Sequence, residues 1–195
     1  MLNKLFKSDS QRVAFLFCVA FSVYGGMRWL RYCVAHTLTG RYVLGGNMEI
    51  QKVLKTDLDA VTRLVSEVSA KDVLPLLNAQ GRQEYKDRVL PDLASTLDDE
   101  KFSSIKAVSG GEVLGFAALR GGNYLTHLFV ANSQQGSGLG RTLLNYLLNQ
   151  TDAREVSLRS SVNAVGFYNR NGFVATGEEA EFNGIRFVPM SLVRT

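Results

Sequence analysis

The sequence predicts an α+β (mixed α/β) fold, a central and mostly antiparallel sheet flanked by helices, and three observations predict it. Residues 48 to 68 read as a strand followed at once by an amphipathic helix. Three short apolar runs between residues 102 and 131 are separated only by Gly-rich turns, which is the hairpin signal. Beyond residue 138, helical and strand patterns alternate to the C-terminus.

Taken in order, "MEIQKVL" (48 to 54) alternates apolar and polar residues as a half-buried strand does. Thr56 and Asp57 stand where a helix cap belongs, and Leu58, Val61, Leu64, Val65 and Val68 follow at helical spacing. Residues 71 to 97 read as helix in short pieces, because Pro75, Gly81 and Pro91 interrupt the pattern. "FSSIKAV" (102 to 108) and "EVLGFAALR" (112 to 120) are joined by Ser109-Gly110-Gly111, and Gly121-Gly122-Asn123 leads into "YLTHLFVA" (124 to 131). These three form an antiparallel meander. A helix over 138 to 149, a strand over 155 to 160, a helix over 163 to 170 and strands over 173 to 178 and 185 to 193 complete the series.

A chain of 195 residues suits one domain with an appendage, and its charge divides it at Met48. Residues 1 to 47 hold Lys4, Lys7, Arg12, Arg28, Arg31 and Arg41 against Asp9, a balance of +5; residues 48 to 195 hold 16 basic against 17 acidic residues, or −1. The expected domain therefore has no cationic excess to set against phosphates, which argues against a nucleic-acid partner. Cys18 and Cys33 both precede Met48, so the domain has neither a disulfide framework nor a thiolate metal site, and no metal is expected. Within the extension, Val13 to Met27 is uncharged, but fifteen helical residues rise roughly 22 Å against about 30 Å of hydrocarbon. Three readings stand for residues 1 to 47: a start assigned upstream of the true one at Met48, a membrane segment lengthened by Arg28 and Arg31, or a helix packed on the domain. The domain itself is expected in the cytoplasm, anchored to a membrane only through that extension.

"QQGSGLGRTLLNYLL" (134 to 148) places three glycines at alternate positions ahead of a leucine-rich helix. A P-loop would need a glycine where Gln135 stands and a lysine at Arg141, and the dinucleotide fingerprint would need a third glycine at Arg141. Both fail. A glycine loop entering a helix N-terminus still suits an anion, since the first-turn N–H groups are unpaired and glycine admits phosphate oxygens close to the backbone. A pyrophosphate is a natural guest, with Arg141 adding a charge-assisted contact; the alternative is a turn that merely ends a strand.

Gln135-x-x-Gly138-x-Gly140 after "HLFV" resembles the Q/R-x-x-G-x-G/A motif of the GNAT superfamily of N-acetyltransferases. "SSVNAVGFYNRNGF" (160 to 173) is similar to that superfamily's later motif, and "NGIRFVPM" (183 to 190) to the last strand of a common bacterial branch. The resemblance covers essentially Met48 to Thr195. It implies a splayed pair of parallel strands at 124 to 131 and 155 to 160, with main-chain groups of Leu128, Phe129 and Val130 free for the pantetheine arm of acetyl-CoA. It further implies Gln135, Gly136, Gly138, Gly140 and Arg141 at the pyrophosphate, Asn163 on the pantetheine, and Tyr168 near the thioester sulfur.

Acetyl transfer to an amine needs a neutral nucleophile, support for developing negative charge on oxygen, and a proton for the leaving thiolate. An alkylamine with pKa about 10.4 is roughly one part in 2,500 neutral at pH 7. Tyr168 is the expected general acid, against a packed helix residue. Many relatives carry a glutamate on the strand at 124 to 131; this sequence has none there. His127 lies on that strand, but Leu125 and Phe129 flank it in alternation, so a packed histidine competes with a catalytic one. Glu84 and a backbone-held water are the other candidate bases, and a strand amide near Leu128 the candidate oxyanion donor. Glu178, Glu179 and Glu181 are either an attractor for a cationic acceptor or a solvated acidic loop. The expected activity is acetyl-CoA-dependent N-acetylation of a small-molecule amine or protein amino group. A coenzyme-binding module without turnover and a membrane-anchored acetyltransferase are the alternatives, and a homodimer is the assembly considered.

Overall fold

The computed structural model describes residues 48–194, and the predicted sheet is at their centre. The strands are β1 (Met48–Lys52), β2 (Phe102–Ser109), β3 (Glu112–Arg120), β4 (Tyr124–Val130), β5 (Glu155–Ser160), β6 (Val174–Ala175), β7 (Ala180–Phe182) and β8 (Ile185–Val193). They lie in the order β1-β2-β3-β4-β5-β8-β6, with β7 paired to β8. Every pairing is antiparallel except that of β4 with β5. Helices α1 (Leu58–Asp72), α2 (Ala79–Glu84) and α3 (Leu90–Asp92) fall between β1 and β2, α4 (Leu139–Leu148) between β4 and β5, and α5 (Val165–Arg170) between β5 and β6.

The run Leu114 to Leu119 in β3 is apolar throughout because both faces of this central strand are covered. Ala117 and Leu119 join the core beneath α4, where Leu139, Leu143, Leu144 and Leu147 are at most 1% exposed. Phe116 and Ala118 join the second core, beneath Val61, Leu64, Val65 and Val68 of α1. Each leucine so buried contributes about 1.5–3 kcal/mol of transfer free energy. Helical spacing in α1 and α4 thus serves opposite faces of one sheet.

Three features differ from expectation. Asp57 does not cap α1: its Oδ2 accepts the Leu54 N–H at 2.7 Å and its Oδ1 lies 2.6 Å from Lys106 Nζ. The cap position is overridden because Lys106, on β2, is 8% exposed and needs a counter-charge. Burial pushes the Asp57 carboxyl upward, but the Lys106 and Leu54 hydrogen bonds outweigh it and hold the group below the usual carboxylate range. The strand expected over 173 to 178 shortens to Val174–Ala175, and β7 forms a separate hairpin with β8. The apolar run Val13 to Met27, with its start-site and membrane readings, lies outside the described residues; among those described, no helix is long and apolar enough to cross a membrane.

That hairpin is locked to α2 by a close backbone approach. Asn78 caps α2 by accepting the Gly81 N–H at 2.8 Å, and a Cβ on Gly81 would stand 2.1 Å from the carbonyl oxygen of Gly184. Gly184 itself turns the β7–β8 hairpin at φ 80°, and the neighbouring Asn183 donates to Glu84 Oε1 at 3.2 Å.

Removing one member of the Asp57–Lys106 pair leaves the other charge without its partner. Asp57→Ala is expected to cost about 3 kcal/mol, lowering the thermal midpoint by roughly 6–12 °C. The double variant Asp57→Ala/Lys106→Met should regain most of that loss in a circular-dichroism melt. Equal losses in the single and double variants would show that the ion pair is not the cause.

Candidate active site

β4 and β5 are paired only at Tyr124 with Ser157 and Leu125 with Leu158, after which they part. The next residue of β4 is Thr126, where a β-bulge breaks the register with β3: His127 lies opposite Ala118, but Leu125 lies opposite Leu119. A bulge adds twist and bends its strand, so the fork opens where the extra residue enters. Ala131 N–H donates to the Leu114 carbonyl at 2.9 Å, continuing a ladder in which Val130 faces Gly115 and Leu128 faces Ala117. Alternation then turns the peptide groups of Leu128 and Val130 into the fork and those of Phe129 toward β3. The resemblance had grouped Phe129 with its two neighbours; its main chain instead belongs to the ladder.

The glycine loop leads from β4 to α4. Gly136 (φ 78°) and Gly138 (φ 94°) both occupy the left-handed region, Gly138 at the N-cap of α4, where no side chain caps the helix and no acid stands in the first turn. A Cβ on Gly136 would meet nothing within 4 Å, so open space adjoins the loop. Gly140 serves packing as well: its Cα side contacts the Phe167 ring. Gln135 donates to Asp72 Oδ2 at 2.7 Å and Asn132 Oδ1 at 3.1 Å, while Asn163 donates to the Asp72 carbonyl at 2.9 Å. Asp72, at the end of α1, therefore ties the two walls of the fork together. Arg141 donates to Asn171 Oδ1 at 3.1 Å, at the far side of the loop.

A cavity of about 300 Å³ lies over the fork, and His127, Leu128, Phe129 and Tyr168 all line it. The bulge decides where His127 points. Leu125 packs into the α4 core, as does Leu128, whereas the His127 ring lies 5.8 Å from Phe116 and 6.2 Å from Phe129 on the α1 side. The alternation read from the sequence, which put His127 on one face with Leu125, fails by that one inserted residue. Thr126 Oγ1 donates its only proton to the Ala118 carbonyl at 3.0 Å, so it must accept from His127 Nδ1, also at 3.0 Å. This network assigns the proton to Nδ1 and leaves the Nε2 lone pair toward the cavity. Burial lowers the His127 pKa to about 4, against a smaller upward pull from Asp92.

Tyr168 is 8% exposed and packs edge-on against Phe167 and Phe173, at 5.1 and 5.6 Å between centroids. Its hydroxyl has no hydrogen-bond partner among the described residues, and no buried side-chain polar atom among them is left unpaired. The hydroxyl therefore opens onto the cavity. Burial raises its pKa well above the usual tyrosine value, keeping it protonated. Both packed and cavity-facing descriptions hold for this side chain: the ring is core and the oxygen is site.

The acidic candidates fall elsewhere. Glu84 accepts from Asn183 and from Arg88 and does not line the cavity. Glu179 pairs with Arg186, and Glu178, Glu179 and Glu181 are exposed. Residues that the sequence did not single out complete the walls: Tyr85, whose hydroxyl bonds Ser69 of α1, and Arg159, whose Cζ lies 4.7 Å from the Phe187 ring centroid.

Residues 73–194 match the family profile described as "Acetyltransferase (GNAT) domain". Solved structures share the fold at low identity. YjaB from Escherichia coli aligns with TM-score 0.61 and 22% identity over 76% of this chain and 99% of its own. The PaiA N-acetyltransferase of Thermoplasma acidophilum, determined in complex with coenzyme A, gives 0.59 and 18% over 75% and 99%. An aminoglycoside 6'-acetyltransferase type Ii gives 0.56 and 17% over 74% and 96%. No curated protein matches the chain by sequence.

The depressed His127 pKa has a signed consequence. Between pH 6.5 and about 4 the unfolded chain binds a proton at His127 that the folded chain refuses, so stability is present above pH 6.5 and falls as pH drops toward 4. The loss attributable to this residue is roughly 3 kcal/mol, and denaturant unfolding at pH 7 and pH 4.5 should show it shrink in His127→Phe. An NMR titration midpoint near 6.5 for His127 would contradict the assigned burial.

Proposed function

Since the chain belongs to the GNAT acetyltransferase family, we propose that it moves an acetyl group from acetyl-CoA to a primary amine by direct attack, with Tyr168 as general acid. The observation that carries this reading is the meeting, in one cavity, of an unpartnered tyrosine hydroxyl, a histidine lone pair and a strand fork. Its relatives in fold include a protein determined with coenzyme A and an acetyltransferase named for aminoglycosides, which is consistent with an amine acceptor.

The residues present fit acetyl-CoA. Leu128 and Val130 offer peptide groups that no strand takes, matching an amide-bearing arm, and the uncapped α4 terminus with Gly136, Gly138, Gly140, Arg141 and Gln135 suits a diphosphate. Asn163 would exchange its bond to Asp72 for one to the arm. When bound, acetyl-CoA supplies an acetyl group activated by a thiol leaving group. The Leu128 N–H would support charge developing on the acetyl oxygen.

Tyr168 stays protonated at working pH and donates toward the departing sulfur. A thiol in the same dry cavity is likewise shifted upward, which narrows the mismatch between the two groups. His127, neutral and with Nε2 exposed to the cavity, accepts a hydrogen bond from the entering amine and aims its lone pair. With a pKa of about 4 it is too weak to strip an alkylammonium. The amine accordingly enters in its neutral form.

Free-thiol release from acetyl-CoA by the full chain across an amine panel tests the reading. Tyr168→Phe should lower kcat about 10²-fold while coenzyme A binding stays within about twofold; an unchanged kcat would remove the tyrosine from the chemistry. For an acceptor delivered neutral, kcat/KM should rise about tenfold per pH unit below the amine's pKa. Coenzyme A binding without release to any amine would favour a binding module. Asp72→Asn should tighten coenzyme A about fivefold, ~1 kcal/mol, an effect that 1 M salt suppresses.

A further inference from the structure

Resting on the acetyltransferase reading, we infer that the acceptor is an amine carrying an anionic group beside an apolar body, as an apolar α-amino acid does, and that Arg159 holds the anionic group. No carboxylate lines the cavity, whereas two guanidinium groups do, Arg159 and Arg186. Arg186 is already neutralised by Glu179. Arg159 has no carboxylate within ion-pair distance among the described residues.

Its position serves the reacting centre. Along β5, Val156, Leu158 and Ser160 are buried toward α4 and α5, so Arg159 emerges on the opposite face, the one His127 occupies on β4 across the fork. Stacking on Phe187 restrains the guanidinium plane while leaving its edge of N–H donors available, and that edge matches a carboxylate or phosphate in two parallel bonds. Between these points the wall is apolar, formed by Val73, Leu76, Leu77, Phe182 and Ile185. A polycationic amine would set its remaining charges against Arg159 with no acid in the wall to receive them. An amine with a nearby anion meets its complement there, and an apolar side chain covers the rest.

The test uses three acceptors with the full chain: phenylalanine, phenethylamine, which is the same body without the carboxylate, and spermidine. Wild type should show kcat/KM for phenylalanine at least tenfold above both others. In Arg159→Gln the phenylalanine-to-phenethylamine ratio should collapse to within about twofold of unity, and calorimetric binding of phenylalanine in the presence of coenzyme A should weaken in step. Arg186→Gln, which removes a guanidinium already paired, should keep the ratio within about threefold of wild type. Unaltered selectivity in Arg159→Gln would overturn the role given to that residue. Acetylation of spermidine or phenethylamine in preference to phenylalanine overturns the acceptor class and leaves the acetyltransferase reading standing. Thiol release with none of the three, despite coenzyme A binding, overturns both.

Discussion

Two neighbouring strands that pair at only two positions before parting govern the rest of this molecule. Main-chain N–H and C=O groups left without partners in a protein interior cost about 1–3 kcal/mol each, so a fork inside a sheet must open onto something that can satisfy them. Here it opens onto the cavity. The bulge at Thr126 starts the divergence, and α4 and α5, packed on one face through Gly140 and Phe167, hold the strands apart. The glycine loop, the cavity and the placement of His127 and Tyr168 are each consequences of that divergence.

The fork also separates charge from chemistry. The two titratable side chains at its centre are both neutral, one because burial depresses a base and the other because burial raises an acid. Charged groups stand at its margins: Asp72 where the two walls meet, Arg159 and Arg186 around the cavity. A neutral centre lets small dipoles, such as the Leu128 amide and the tyrosine hydroxyl, act at nearly full strength. The charged margin sorts what reaches them.

Much of this was legible in the sequence. Alternation and Gly-rich turns located the meander, leucines at helical spacing located α4, and Pro75, Gly81 and Pro91 divided the stretch after α1 as expected. Three interrupted pieces were foreseeable because each breaker acts locally. The failures were all non-local. Asp57 has the chemistry of a helix cap, and only the fold brings Lys106 to claim it. His127 has apolar neighbours at alternate positions, and only the bulge, a property of how β4 pairs with β3, moves it to the other face. Arg159 reads as an outward-facing strand residue, and so it is; the outward face happens to be the one the cavity occupies. The glycine loop was legible as an anion cradle, but nothing local revealed that Asp72 bonds both Gln135 and Asn163.

The contact between Gly81 and Gly184 fixes the backbone over the cavity without using any side chain that faces into it. Phe182, Ile185 and Phe187 hang from that fixed backbone on one side, and Leu76, Leu77 and Tyr85 on the other. Descendants of this chain can therefore exchange wall residues one at a time, acquiring new acceptors by drift, as long as both glycines are inherited together. Neither glycine is free to vary alone, and that joint conservation is what makes its surroundings evolvable.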